Sequence, residues 1–170
     1  MDDLTRLARS AATGDPVAVR GFVRAGQTEV WRLCAHLVGA QDADDVTQEV
    51  MLRALAGLPG FEGRSSARTW LLTIARRTAV DHIRGAQRRR RLWKRLPAPV
   101  AVSDGSEARA LEGLVDRLAE DKRMAFVLTQ QLGVSYAEAA EICGCEVGTI
   151  RSRVARARSQ LVALLQEETG

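Results

Sequence analysis

The chain is poor in the residues that hold small secreted or metal-dependent folds together. Its cysteines are Cys34, Cys143 and Cys145, an odd count that implies no disulfide framework. The two histidines, His36 and His82, do not complete a ligand set of finger-like spacing with them, so no metal centre is expected and the thiols read as small buried side chains. No apolar run approaches the roughly 18 residues that a membrane span requires, and the opening MDDLTRLARS has no signal-peptide pattern. The expectation is a cytoplasmic protein without membrane insertion. Strand-type alternation is missing throughout, which points to an all-α fold. No nucleophile, base and orienting residue stand together, and no glycine loop is built to cradle a nucleotide. Neither enzyme chemistry nor a cofactor is expected.

What is present is apolar content of 46% over 170 residues, enough for one ordinary domain or two small ones. The net charge of +4 hints at a polyanionic partner, and its distribution says more. Arg84, Arg88, Arg89, Arg90, Arg91, Lys94 and Arg95 follow one another with no intervening acid, whereas Asp42 to Glu49 holds four acids and no base.

The most informative stretch is Ser135 to Leu161. Ser135 and Glu138 form a capping box, so a helix starts at Tyr136, with Ala137, Ala140 and Ile142 on its inner side. Gly144 ends it, and the short turn predicts a second helix from about Glu146. Val147, Ile150, Val154, Ala157, Leu161 and Leu164 then fall along one side of that helix. Thr149, Ser152, Arg153, Arg156 and Gln160 fall opposite, flanked by Arg151 and Arg158. A helix that reads a major groove needs such a cationic, donor-rich face. A solvated arginine-rich helix is the bland alternative; the capped helix and glycine turn before it argue for a helix-turn-helix.

Before this motif, Leu4 to Thr13 reads as a short amphipathic helix. Asp15-Pro16 opens a second, with a stripe from Val19 to Val38 and a possible bend at Gly26. Asp42 is placed to cap a third, with Ala43, Val46, Val50, Ala54 and Leu58 inside. Asp45, Gln48, Glu49 and Leu52 follow its outer ridge beside Asp44, and acids combined with an exposed leucine suit a basic docking partner as well as they suit water. Leu58 to Ser65 is a loop broken by Pro59, Gly60 and Gly63, with Phe61 as a core plug or a base-stacking group. Ser65 or Ser66 caps a long helix to Gln87, packed through Trp70, Leu71, Ile74, Thr78 and Ile83, with Arg68, Arg76, Arg77, Asp81 and Arg84 toward the outside. Leu96 to Ser106, rich in proline and small residues, is a linker. The architecture expected is two small helical domains, 1–95 and 107–170, joined by a flexible linker at 96–106, the second ending in the helix-turn-helix. Residues Glu107 to Leu118 and Asp121 to Leu132 supply two further helices, with Leu111, Leu114, Leu118, Ala125, Val127, Leu128 and Leu132 inside.

Three segments carry a family resemblance. Asp44-Asp45-Val-Thr-Gln48-Glu49-Val-Met-Leu52, the run from Phe61 through Trp70, Arg76, Arg77 and Asp81 to Arg84, and Val147 to Arg158 resemble regions 2 and 4 of an extracytoplasmic-function (ECF) sigma factor, in order and at the right separation. The resemblance implies a bacterial initiation factor that directs core RNA polymerase to promoters and promotes DNA opening. It places Asp44, Asp45, Gln48, Glu49 and Leu52 against the largest-subunit clamp helices, and implies a further contact with the polymerase flap. It places Phe61, Arg64, Ser65, Arg68, Arg76, Arg77 and Arg84 at the minus-ten element. Thr149, Arg151, Ser152, Arg153, Ala155 and Arg156 would enter the major groove at the minus-thirty-five element, and the linker would thread the polymerase channel. An anti-sigma factor covering the polymerase-facing surfaces is a further implied partner.

The chain departs from the family pattern at Arg77, where an asparagine is common, and at Ala155, near which an aromatic is common, so base preferences do not carry over. The run Arg88 to Arg91 is denser than the family requires, and like charges so concentrated favour a DNA phosphate contact over simple solubilisation. The rival readings are a helix-turn-helix regulator that is no sigma factor, and a recombinase. The first lacks a βα receiver pattern in residues 1–95. The second requires a catalytic serine or tyrosine beside clustered arginines in a mixed fold, and the only tyrosine, Tyr136, sits in the helix-turn-helix.

Overall fold

The computed structural model describes residues 2–92 and 113–169. The linker expected at 96–106, the two boundaries beside it, Lys94, Arg95 and Leu111 lie outside the described residues. Every regular element among the described residues is helical.

The first domain is built from α1 (Asp3–Ala12), α2 (Pro16–Val38), α3 (Ala40–Gly57), a 3₁₀ turn (Leu58–Gly60) and α4 (Ala67–Leu92). Each start has a local cause. Asp2 caps α1, accepting from the Thr5 amide at 2.9 Å. Asp15 caps α2 through the Val17 amide at 2.9 Å, with Pro16 in the first turn, where its missing N–H costs nothing. Ser66 caps α4 through the Thr69 amide at 3.1 Å, and the buried Thr5 hydroxyl accepts from the Ala67 amide at 2.9 Å, tying α1 to α4. Phe22, Val30, Leu33, Val50, Leu58 and Leu72 fill the core between these helices.

Two expectations change here. Asp42 does not cap α3, because Gly39, at φ 87°, both ends α2 and opens α3 three residues earlier; Asp42 lies in the first turn and meets His82 Nε2 at 3.0 Å. Gly26 makes no break in α2. It is buried, and a Cβ there would stand 2.6 Å from Leu71 Cδ2, so the glycine lets α2 and α4 approach closely.

In the second domain, residues 113–116 are helical, followed by α5 (Glu120–Phe126), which continues as a π turn over Val127–Gln131, then α6 (Tyr136–Cys143) and α7 (Val147–Thr169). Leu114, Leu118, Leu128, Ile142, Ile150 and Val154 form its core. The capping box is complete: the Glu138 amide donates to Ser135 Oγ at 3.2 Å, and the Ser135 amide donates to Glu138 Oε2 at 3.1 Å. Gly144 ends α6 in the left-handed conformation (φ 64°, ψ 41°), with the Cys145 amide returning to the Ala140 carbonyl at 3.0 Å. Ala137 is exposed and Ala139 takes the inner position expected of it.

The Ser135 hydroxyl is the main cause holding the Glu138 carboxyl below the usual carboxylate range. A depressed folded value means stability that is present at neutral pH and lost as pH falls through it. Ser135→Ala is expected to cost about 1 kcal/mol in thermal or urea unfolding at pH 7. That difference should narrow below the ordinary carboxylate value, as protonated Glu138 loses its side of the box; a pH-independent difference would contradict this assignment.

Candidate nucleic-acid and partner interface

Burial of Ala43, Val46, Val50 and Ala54 turns Asp44, Asp45, Gln48, Glu49 and Leu52 outward together on α3. Leu52 is 57% exposed, a large apolar side chain set among acids. Glu49 is partly compensated by Arg53 at 2.8 Å, and Arg53 also reaches Asp81 at 3.6 Å. Beside this ridge lies a groove of about 520 Å³ between α2 and α3, lined by Val23, Gln27, Trp31, Asp44, Gln48 and Met51. Trp31 is 39% exposed and donates its indole N–H to Asp44 at 2.7 Å. Sequence reasoning missed Trp31 and Gln27. The available signal was that Trp31 stands off the buried stripe of Val30, Leu33, Cys34 and Leu37.

The seven residues expected at the minus-ten element divide among three places. Phe61, Arg64 and Ser65 border a shallow hollow of about 220 Å³ that Gly60, Glu62, Gly63 and Trp70 complete. Phe61 is half-buried, its ring 5.1 Å from that of Trp70, which in turn lies 6.4 Å from Phe22. It therefore plugs the loop onto the core and leaves an edge to solvent. Arg77 and Arg84 are exposed on α4. Arg68 and Arg76 point elsewhere.

Arg68 is clasped by Glu29, with Nε at 2.9 Å from Oε1, and also donates to the Leu132 carbonyl in the turn before the helix-turn-helix. Arg76 lines a hollow of about 390 Å³ with Asp121, Met124, Cys143, Cys145 and Arg153. Arg123 donates to the His36 carbonyl at 3.2 Å, and α4 packs directly on α6. The two domains thus meet at a junction that contains members of both expected DNA-reading sets.

On α7 the apolar stripe Ile150, Val154, Ala157 and Leu161 is buried as the spacing predicts. Arg151, Ala155, Arg156 and Arg158 are exposed, while Thr149, Ser152 and Arg153 are half-buried. Arg153 Nε lies 3.3 Å from Asp121, and its Nη1 lies 3.8 Å from Cys145 Sγ. No acid occurs from Val147 to Gln166, so the charge on the exposed face is all positive over that span. Burial raises the Cys34 and Cys143 thiols to about 11, which keeps both protonated and unreactive at neutral pH. Among the described residues no cluster of His, Cys, Asp or Glu could hold a metal ion, and no helix is long and apolar enough to cross a membrane.

Comparison with known proteins places this arrangement. Residues 22–89 match Sigma-70 region 2 and residues 108–161 match Sigma-70, region 4. The ECF RNA polymerase sigma factor SigC of Mycobacterium tuberculosis (strain CDC 1551 / Oshkosh) is 49% identical over 166 residues, covering 94% of this chain and 90% of that protein. The chain belongs to the ECF sigma factors. Solved structures agree with this sigma factor in fold. The sigma factor RpoE in complex with the anti-sigma factor NepR from Bartonella quintana superposes with a TM-score of 0.78 at 29% identity, over 86% of this chain and 96% of that one. CnrH in complex with the cytosolic domain of CnrY gives 0.74 at 29% identity, over 97% and 99%.

Proposed function

We propose that this sigma factor docks on core polymerase through Asp44, Asp45, Gln48, Glu49 and Leu52, which face basic clamp helices. It then reads the minus-thirty-five element with Thr149, Arg151, Ser152, Arg153, Ala155 and Arg156. Phe61, Arg64, Ser65, Arg68, Arg76, Arg77 and Arg84 engage the minus-ten element and stabilise its opened strand. The observation that carries this reading is the separation of one acidic, leucine-bearing ridge from cationic faces on two domains, in a chain of this family. The factor acts in the cytoplasm and performs no chemistry of its own; polymerase makes the bonds. Its contribution is differential binding that offsets unstacking, which costs a few kcal/mol per disturbed step. A protein inhibitor that covers the docking ridge would block this step, and a relative of the same fold has been crystallised in complex with an anti-sigma factor.

The junction adds a requirement. Arg68, Arg76 and Arg153 reach DNA only after α4 and α6 part, so the free chain binds promoters weakly and polymerase, by fixing the two domains apart, releases both reading faces. The fragment 107–170 is expected to fold alone and to bind minus-thirty-five duplex several-fold more tightly than the whole free chain, measured by fluorescence anisotropy. Equal affinities would contradict occlusion at the junction. The function itself is tested by run-off transcription with purified chain and core polymerase on a genomic fragment library. Site-selective starts preceded by two shared sequence elements are expected; starts no more selective than those of core alone would refute the reading.

A further inference from the structure

The cationic run that the sequence places before the linker is not irregular chain. Helix α4 extends through it to Leu92, five residues past the expected end, and Arg88, Arg89, Arg90 and Arg91 are all exposed. At about 100° per residue, Arg77, Arg84, Arg88 and Arg91 fall within one narrow stripe, about 21 Å long at 1.5 Å per residue. Asp81 shares the stripe but is turned to Arg53 on α3, at 3.6 Å. Beyond it no acid follows before Leu92. Among the described residues none of the four arginines pairs with a carboxylate.

Such a stripe works against the helix that carries it. Cations in the last turn gain from the helix dipole, which accounts for one or two of them. The pairs Arg84 with Arg88 and Arg88 with Arg91, however, sit at four- and three-residue spacing, where like charges repel by a few tenths of a kcal/mol each. A polyanion laid along the stripe turns that repulsion into attraction, and one duplex strand offers a phosphate for about every 3.4 Å of rise. Twenty-one ångströms then spans roughly six base pairs.

We propose that the distal half of α4 is a phosphate rail for double-stranded DNA between the two promoter elements, with Arg88 and Arg91 as its principal contacts. The occupant follows from continuity and charge. The rail prolongs the face that holds Arg77 and Arg84, and it leads into the stretch of chain joining the two reading domains, so the DNA it meets is the spacer duplex. The contact is to backbone, carries no base information, and adds affinity that depends steeply on salt. This inference rests on the function proposed above.

The test uses the full chain assembled with core polymerase, comparing parent, Arg88→Ala/Arg91→Ala and Arg88→Lys/Arg91→Lys on a promoter fragment at several salt concentrations. Losing two phosphate contacts should flatten the slope of log K against log salt by about 2. The lysine variant should restore it, since a point charge suffices for a phosphate. Neutral methylphosphonate linkages in the spacer should erase the difference between parent and alanine variant, and affinity for core alone and preference for both elements should be unchanged. An unchanged slope in the alanine variant, while the parent still selects promoters, overturns the rail and leaves the function standing. A loss of core affinity with no change in slope overturns it in favour of a polymerase contact. A parent holoenzyme without promoter selection removes the rail together with the function.

Discussion

Replacing Asp45 and Glu49 with lysine is expected to abolish co-purification with core polymerase while leaving the helical circular-dichroism signal intact. Both side chains are exposed on α3 and contribute nothing to the core, so the fold has no stake in their sign. The local cost is small: a lysine at 49 stands one turn from Arg53, its present partner at 2.8 Å, and a like-charge pair at that spacing costs a few tenths of a kcal/mol. Against a basic partner the same exchange is large. Two attractive contacts become repulsive, and like-charge juxtaposition at an interface costs several kcal/mol, about a thousandfold in affinity for every 4 kcal/mol. Undiminished co-purification would reject the ridge as the docking face. Leu52→Ala should give a weaker effect of the same kind, separating the apolar share from the charge.

Replacing Arg153 and Arg156 with alanine is expected to lower transcription by 1 to 3 kcal/mol of recognition for each base-reading contact, roughly five- to 150-fold. The loss should be confined to templates with an intact upstream element. Arg156 is exposed and ready for a groove, whereas Arg153 must first leave Asp121 and Cys145. That partly exposed pair is worth about 1 kcal/mol, at or below what a bidentate base contact returns, so the exchange favours DNA once the junction is open. An equal loss on templates with the upstream element scrambled would count against the helix as a reader.

The parts of this molecule that could be read without coordinates are those whose causes are local. The capping box at Ser135, the left-handed Gly144 and the three-then-four stripe of α7 are each set within a few residues, and each appears where the pattern puts it. The same is true of Asp15-Pro16 at the start of α2. Errors came where a neighbour decides. Ala137 and Ala139 carry no hydrophobic contrast, and tertiary packing of α6 buries the second. Gly26 resembled a helix weakener because Leu71, the side chain that fills its vacancy, is far away in sequence. Burial along α4 centres on Leu71, Leu72, Ala75, Thr78 and Ala79 rather than on Trp70 and Ile83, since this helix is covered from two sides. The same helix runs on through Arg88 to Arg91, past the expected end at Gln87.

The candidate site was legible in the same graded way. The acidic ridge and the arginine face follow from periodicity; the ridge is exposed as expected, whereas Thr149, Ser152 and Arg153 on the arginine face are half-buried. The clasp on Arg68 joins residues 39 and 64 positions apart, which no local pattern announces. The groove at Trp31 exists only because α2 and α3 lie side by side.

At the centre of this account is a division of labour in which one helical domain opens the duplex that the other has located, with polymerase holding them apart. Permanganate probing of unpaired thymines at a promoter found by run-off transcription examines this most directly. The account predicts reactive thymines around the start site only when chain and core polymerase are both present, and their loss when Arg76 and Arg77 are replaced by alanine. Equal reactivity with core alone, or full reactivity in that variant, would contradict it.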